Sequence, residues 1–419
     1  MKKLDVTTRD YKSGFRAKVI RRPLFAQKFM GIIVDFGGSD PQKLCGGAHF
    51  LEHKLFTKKD GDISQRFEEL GASTNAFTTY NETMFYASNE TMFYASFTEH
   101  WRQVLPLIFE LVGTTHFTKS NVAKESKIIA QELAMYQDDP NWQVNYELMQ
   151  MMFPKTSLAE DLTGTKSSLK KMTPEILQEI YDNNYVSCRM EFVACGGFSE
   201  NQTKEILREV GKLESKYLIS KKVAPKKLSI VNSQKEHNKI IASDLITSRV
   251  GIGIKLPDFK KVGLRNSTAQ SIFEMMLQAK LGVTSPWFEK MQKQGILNSP
   301  MELQVSYTTA GNFATIIGAS SKPDLFLKNI KSQLLEVPVT EESFVFQKKE
   351  ALAQTIREFD DLSTIAIEEA EYGLENDNFN SAAQAIQSLS FNEFYTAVEN
   401  ILDKSDIFTT TLKGKEEAN

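Results

Sequence analysis

The residues whose spacing carries the most chemistry are His49-Phe50-Leu51-Glu52-His53. On a helix His49 and His53 stand at i and i+4, so both imidazoles project from one face. Glu52, three residues after His49, flanks the same site. Two neutral imidazoles in this register suit zinc, which takes nitrogen ligands at about 2.0–2.1 Å. With a third protein ligand, one position remains for water. The ion would lower that water's pKa, and a nearby carboxylate could take its proton. The chain has five histidines and 53 acidic residues in 419 positions. A His-x-x-acid-His pattern should arise by chance in roughly one chain in a hundred of such composition.

The third ligand has to come from another element. The spacing predicts a long helix over 119–137, capped by Ser120 and ended by Asp139-Pro140. Glu125 and Glu132 lie seven residues apart on it, two turns, and share a face. Ile128 and Ile129 between them make an apolar setting, where a carboxylate is costly unless it meets a cation or a donor.

Several elements must hold these side chains. Residues 27–36 read as a buried strand, broken by Gly37, Gly38 and Asp40-Pro41. The motif sits on a helix at 47–57, and a second helix runs from Ile63 to Leu70 before Gly71. Residues 73–96 are strand-rich. Helices follow at 97–112, 173–185 and 200–212, with a strand at 187–195 ahead of Gly196-Gly197. Strands mixed with helices predict an α+β architecture. The second half echoes the first in order: Phe67-Glu68, Gly71, Asn75 and Ala87-Ser88 recur as Phe288-Glu289, Gly295, Asn298 and Ala319-Ser320. The expectation is two similar α/β sandwich domains, each a mostly antiparallel sheet packed with helices. The predicted bounds are 1–215 for the domain with the metal motif, a basic linker at 216–228, and 229–419 for a domain without it.

Composition excludes some functions. At roughly 150 residues per domain the length suits two or three domains. The net charge of −3 gives no global attraction to nucleic acid or an anionic membrane. No apolar run reaches the length of a membrane span, and no apolar stretch near the start reads as a secretory signal. Three cysteines, Cys45, Cys188 and Cys195, form no disulfide framework, so a cytoplasmic location is expected.

One repeat is exact in sequence. Asn81-Glu-Thr-Met-Phe-Tyr-Ala-Ser88 is followed at once by the same octamer over 89–96. A single strand from Phe77 to Ser96 would be far longer than the usual 3–10 residues. One copy is therefore expected to pair in the sheet and the other to be extruded or to form an extra arm. The repeat also falls between the two halves of the predicted zinc site.

Together these motifs resemble the pitrilysin/insulinase family of zinc metallopeptidases, which carry the inverted motif His-x-x-Glu-His. Gly47 to Phe56 is similar to the family's motif helix and Gly71-Ala-Ser-Thr-Asn-Ala-Phe-Thr78 to its following strand. Glu125-x6-Glu132 is similar to its acidic pair, and Thr173-Pro174 to Tyr185, then Gly196-Gly197, to the end of its first domain. The resemblance is greatest to short bacterial two-domain subunits. It implies one zinc per chain on His49, His53 and Glu132, with Glu52 as general base and Glu125 as a supporting acid. It implies that Asn75 and Ala76 lie on an edge strand that takes substrate backbone by strand addition. It further implies a subunit forming one half of a clamshell, an endopeptidase acting on small or unfolded peptides. A homologous partner, in a heterodimer or a homodimer, is expected. The departures are specific. Family members use an Arg–Tyr pair in the second-half type of domain, whereas Ile296 to Gly318 holds Tyr307 and no Arg. A partner subunit would have to supply that Arg. The alternative is a catalytically silent scaffold or assembly subunit of the same fold, disabled by the duplication.

Overall fold

The computed structural model describes residues 3–88, 96–224 and 237–415. The second octamer copy up to residue 95, and the predicted linker from 225 onward, lie outside the described residues. The chain divides into two compact units, each assembled from three stretches of sequence. The first comprises Met1–Leu133, Asp161–Lys226 and Thr355–Ser381, and the second Ala134–Glu160, Lys227–Gln354 and Ala382–Asn419. Each unit is a sheet packed with helices, the two-domain α/β organisation expected from the sequence. Among the described residues no helix is long and apolar enough to cross a membrane.

In the first unit six strands lie side by side in the order Asp5–Asp10, Arg16–Arg21, Met190–Gly196, Lys28–Val34, Thr83–Ser88, Ser73–Thr78. All neighbours are antiparallel except Arg16–Arg21 with Met190–Gly196. The central strand Lys28–Val34 is buried throughout, because both sheet faces are covered, and it reads as an almost unbroken apolar run. Strand alternation sends Phe29, Ile33, Met84, Val193 and Cys195 to one face, where Leu362, Ile365, Ala366 and Ala370 cover them. These last residues belong to the helix Leu362–Leu374, which comes from the far end of the chain. The opposite face carries Ile32 and its register partners Phe85 and Phe192. The motif helix Gly47–Leu55 and the helix Ser96–Gly113 pack on it.

The first octamer copy supplies the strand Thr83–Ser88 whole, paired residue by residue with Lys28–Val34 on one side and Ser73–Thr78 on the other. The strand Ser73–Thr78 is the terminal one on that side, with no further neighbour among the described residues.

In the second unit five strands lie in the order Glu302–Ser306, Asn312–Ser320, Ser248–Leu256, Asp406–Lys413, Asn238–Ala242, again antiparallel but for the last pair. The helix Pro140–Met152, from the first half of the chain, packs on this sheet. Gly251 and Gly253 permit its close approach: a Cβ at either would fall within 3 Å of Val144 or Met152 atoms. The predicted repeat shows in the geometry. Gly71 at φ +69° and Gly295 at φ +60° each end a helix that carries the Phe-Glu pair. Asn298 departs from the echo, since it precedes the strand Glu302–Ser306 while Asn75 lies within its own.

Candidate metal centre

The motif helix begins in a tight place. Gly46, at φ +80°, lies so close to the chain at 163–164 that a Cβ would come within 2.6 Å of the Thr163 carbonyl oxygen. Only glycine takes that backbone conformation without strain. The Ala48 N–H donates to Gln42 Oε1 at 3.0 Å, satisfying one of the helix's free donors. From this start Ala48, His49, Leu51, Lys54 and Leu55 turn inward.

The helix predicted over 119–137 runs from Lys119 to Gln137. Its cap is Thr118 and not Ser120. The Asn121 N–H donates to Thr118 Oγ1, while Asn121 Oδ1 accepts from the Thr118 N–H. This reciprocal pair satisfies two donors at once, which the Ser120 register does not offer. Ile129 is buried but Ile128 is 42% exposed, so the apolar setting lies on one side of the acidic pair only.

These two helices bring His49, His53 and Glu132 together, each offering a ligand atom within 4.8 Å of the others. His49 Nε2 lies 3.7 Å from Glu132 Oε1, and His53 Nε2 lies 3.7 Å from Glu132 Oε2. Two atoms about 2 Å from one tetrahedral ion stand roughly 3.3 Å apart. Two imidazole nitrogens and a carboxylate are donors that zinc takes, and each histidine stands near that separation from one of the two Glu132 oxygens. Both Nε2 atoms face the carboxylate, and the imidazole centroids are 4.6 Å apart. The group forms in the chain that carries both octamer copies.

Glu125 stands behind His53, with Oε1 3.2 Å from His53 Nδ1 and Oε2 3.3 Å from Lys54 Nζ. A carboxylate on the distal nitrogen fixes the imidazole's orientation and tautomer, as around metal-bound histidines generally. His49 Nδ1 is buried without a hydrogen-bond partner among the described residues.

Electrostatics separate these groups. Burial lowers the His49 pKa to about 4, with the neighbouring His53 adding to the effect, so His49 is neutral at ordinary pH. Burial also pushes His53 down, but the Glu125 hydrogen bond and the charges of Glu52, Glu125 and Glu132 outweigh it and raise the pKa. Burial pushes Glu125 up, and the bonds and charges of His53 and Lys54 bring it below the usual carboxylate range. Glu52 is held above that range, chiefly by burial, against the pull of Thr78 and His53. A raised carboxyl is a stronger base than an exposed one, as general-base chemistry near neutral pH needs.

Asn75 and Ala76 both lie on the terminal strand, Asn75 exposed and Ala76 half-buried. Their side chains point to opposite faces. Ala76 shares the motif-helix face with its register partner Phe85, and Asn75 shares the face of Phe77. Neither belongs to the metal-ligand group. Two residues at the site have no signature in the spacing. Thr78 donates to Glu52 Oε2 at 2.6 Å, and Lys54 reaches Glu125. Each contact spans two elements, so only the fold discloses it.

Residues 26–166 match the insulinase peptidases (peptidase family M16), and residues 171–349 match the M16 inactive domain. An uncharacterized zinc protease of Bacillus subtilis, YmfH, is 24% identical over 356 residues, 84% of this chain and 81% of its own. The fold is similar to the crystal structure of an M16-like peptidase from Alicyclobacillus acidocaldarius. Its TM-score is 0.84 at 21% identity, covering 98% of this chain and 99% of that one. It is also similar to that of a peptidase M16 inactive domain from Pseudomonas fluorescens. There the TM-score is 0.83 at 16% identity, covering 98% and 99%.

Proposed function

The chain belongs to the insulinase family of peptidases, M16, and from that premise we propose that it is a zinc-dependent endopeptidase hydrolysing peptide bonds in small or unfolded peptides. The observation that carries the reading is the convergence of His49, His53 and Glu132 from two helices onto one point. These three would hold one zinc per chain. When bound, zinc supplies the positive charge that polarises a scissile carbonyl and acidifies a water. Glu52 takes the proton from the attacking water and returns it to the leaving amine. Thr78 holds one Glu52 oxygen and leaves the other free for that transfer. Glu125 keeps the His53 ring in place. The terminal strand, through the backbone at Asn75 and Ala76, takes an extended peptide by main-chain hydrogen bonds, a mode that demands little of its sequence.

A homologous partner subunit is part of this proposal, because Ile296 to Gly318 offers Tyr307 and no Arg to grip substrate. A heterodimer would supply the Arg from the second chain, whereas a homodimer would lack it. Cys45, Cys188 and Cys195 form no disulfide with one another, in keeping with the reducing, cytoplasmic compartment of this proposal. A catalytically silent subunit is the second reading, favoured by the match of residues 171–349 to an inactive domain and by the missing Arg. The experiment is metal analysis and peptide hydrolysis by wild type and Glu52→Gln, alone and with a partner subunit. One zinc per chain and a loss of hydrolysis in Glu52→Gln are expected. Zinc far below one per chain, or hydrolysis undiminished in the variant, overturns the endopeptidase.

A further inference from the structure

We propose that Lys54 is a positioning residue for the metal site: its ammonium pins Glu125, and Glu125 in turn fixes the orientation of His53. The inference rests on the metal-site reading above and adds a residue to it.

Lys54 follows His53 directly on the motif helix, and its side chain is only 2% exposed. A lysine so placed is costly, since burying an ammonium without a partner is strongly unfavourable. Replacing the Lys54–Glu125 pair together by apolar side chains of similar volume is often neutral or stabilising for a fold, so burial of this pair is not explained by stability alone. The structure shows what the charge does. Lys54 Nζ takes Glu125 Oε2 at 3.3 Å and donates to Thr57 Oγ1 at 3.1 Å. The second oxygen of the same carboxylate, Oε1, is left for His53 Nδ1 at 3.2 Å. One carboxylate from a separate helix thus spans two consecutive residues, each of its oxygens assigned to one of them.

The division of oxygens matters because a carboxylate turns about its last bond. Held at Oε2 alone by Lys54, Glu125 presents Oε1 in one direction, and the His53 ring follows it. Nε2 of that ring then faces Glu132. His49 has no such support, because its Nδ1 is without a partner among the described residues. The fixed imidazole is therefore His53, and its rigidity depends on Lys54. Charge points the same way. Glu52, Glu125 and Glu132 bring three negative charges to the cluster when ionised. A divalent cation and Lys54 together balance them, and without Lys54 the loaded cluster keeps a buried excess of one.

The test measures zinc affinity of the full-length chain by competition with a chromophoric chelator, together with the cobalt(II) absorption spectrum. Lys54→Met keeps the length of the side chain and removes the charge. It should weaken zinc about tenfold or more, the usual effect of losing a support to a metal ligand. Its cobalt spectrum should also change. Lys54→Arg should recover part of the affinity. Glu125→Gln should weaken zinc to a similar degree, and adding Lys54→Met to it should change little, because both act through one contact. A merely structural lysine would instead lower the melting temperature of the metal-free chain and leave the affinity of the folded protein unchanged. That outcome, or strictly additive losses in the double variant, overturns the proposal. If Lys54→Met does not fold, Lys54→Gln carries the same comparison. Glu132→Gln separates the two levels: should it bind zinc as wild type does, the metal-site reading itself falls. If it loses zinc while Lys54→Met binds normally, only the role of Lys54 falls.

Discussion

Thr78, on the terminal strand of the first sheet, donates its hydroxyl to Glu52 Oε2 at 2.6 Å, tying the proposed base to a strand it does not neighbour in sequence. Thr83 stands behind it, 3.3 Å away oxygen to oxygen, and is anchored in turn on the Phe36 carbonyl. A hydrogen bond to a charged partner contributes about 1.5–3 kcal/mol, roughly a factor of ten or more in a rate that depends on it. Thr78→Val should therefore lower kcat for peptide hydrolysis about tenfold and leave KM nearly unchanged. Thr78→Ser, which keeps the hydroxyl, should restore most of the rate. Equal rates for the valine and serine variants would dismiss the hydroxyl as the cause.

A buried ionic cluster on the opposite face of the sheet predicts a pH dependence of stability. Lys18 Nζ lies 3.0 Å from Glu191 Oε1 and 3.2 Å from Glu369 Oε1, so one ammonium serves two buried carboxyls. Burial, set against the charge of Lys18, raises the Glu191 pKa from 4.5 to about 7. The folded chain then keeps a proton that the unfolded chain releases above pH 4.5. The stabilisation from this group is complete below pH 4.5, fades as pH rises, and is gone above about pH 7. Its size is on the order of 3 kcal/mol. Glu191→Gln mimics the protonated carboxyl. Its melting temperature should match wild type near pH 4.5 and exceed it near pH 8. Two parallel pH profiles would show that Glu191 does not titrate in this window.

The convergence of the three candidate ligands was legible because its signals are local. The i, i+4 pair His49 and His53 and the two-turn pair Glu125 and Glu132 need only a helix each, and helix periodicity is written into every turn. The buried strand at 27–36 was legible for a similar reason, an apolar run closed by glycines and a proline. The destination of an amphipathic helix was not. Nothing in residues 362–374 says that Ile365 and Ala370 cover Phe29, from a strand near the start of the chain, and Val193, from one near its middle. The same holds for Pro140–Met152 on the second sheet. Thr118 displaced Ser120 as the cap of the acidic helix because both are capping residues, and only the reciprocal bond with Asn121 chooses between them.

Gly46 makes a prediction about the scaffold alone. A methyl group there would sit 2.6 Å from the Thr163 oxygen and 2.7 Å from the Gly164 Cα, both backbone atoms that cannot swing aside. The residue also holds φ +80°, which alanine adopts only with strain. Gly46→Ala should destabilise the chain by about 1–3 kcal/mol. It should also shift the start of the motif helix, weakening zinc binding as well. A melting temperature within a degree of wild type in differential scanning calorimetry would contradict the crowding. Gly61 is the control: it too has positive φ, but a Cβ there meets nothing within 4 Å, so Gly61→Ala should cost only the backbone strain.

The octamer repeat can be tested by shortening it. The strand Thr83–Ser88 is completed by the first copy, with a register partner for every residue on both sides. Removing residues 89–96 joins Ser88 to Phe97, the same Ser-Phe junction that now follows Ser96. The deletion keeps every residue of the strand Thr83–Ser88 and puts Ser88 in the place of Ser96, the first residue of the next helix, while His49, His53 and Glu132 already converge with both copies present. The shortened chain should therefore bind one zinc with unchanged affinity and hydrolyse peptides at the wild-type rate. Peptidase activity appearing only after the deletion would make the duplicated chain the silent form. Loss of folding would instead give the second copy a structural role of its own. Circular dichroism read beside zinc content distinguishes the two, because a silent but intact chain keeps its helical signal and its metal.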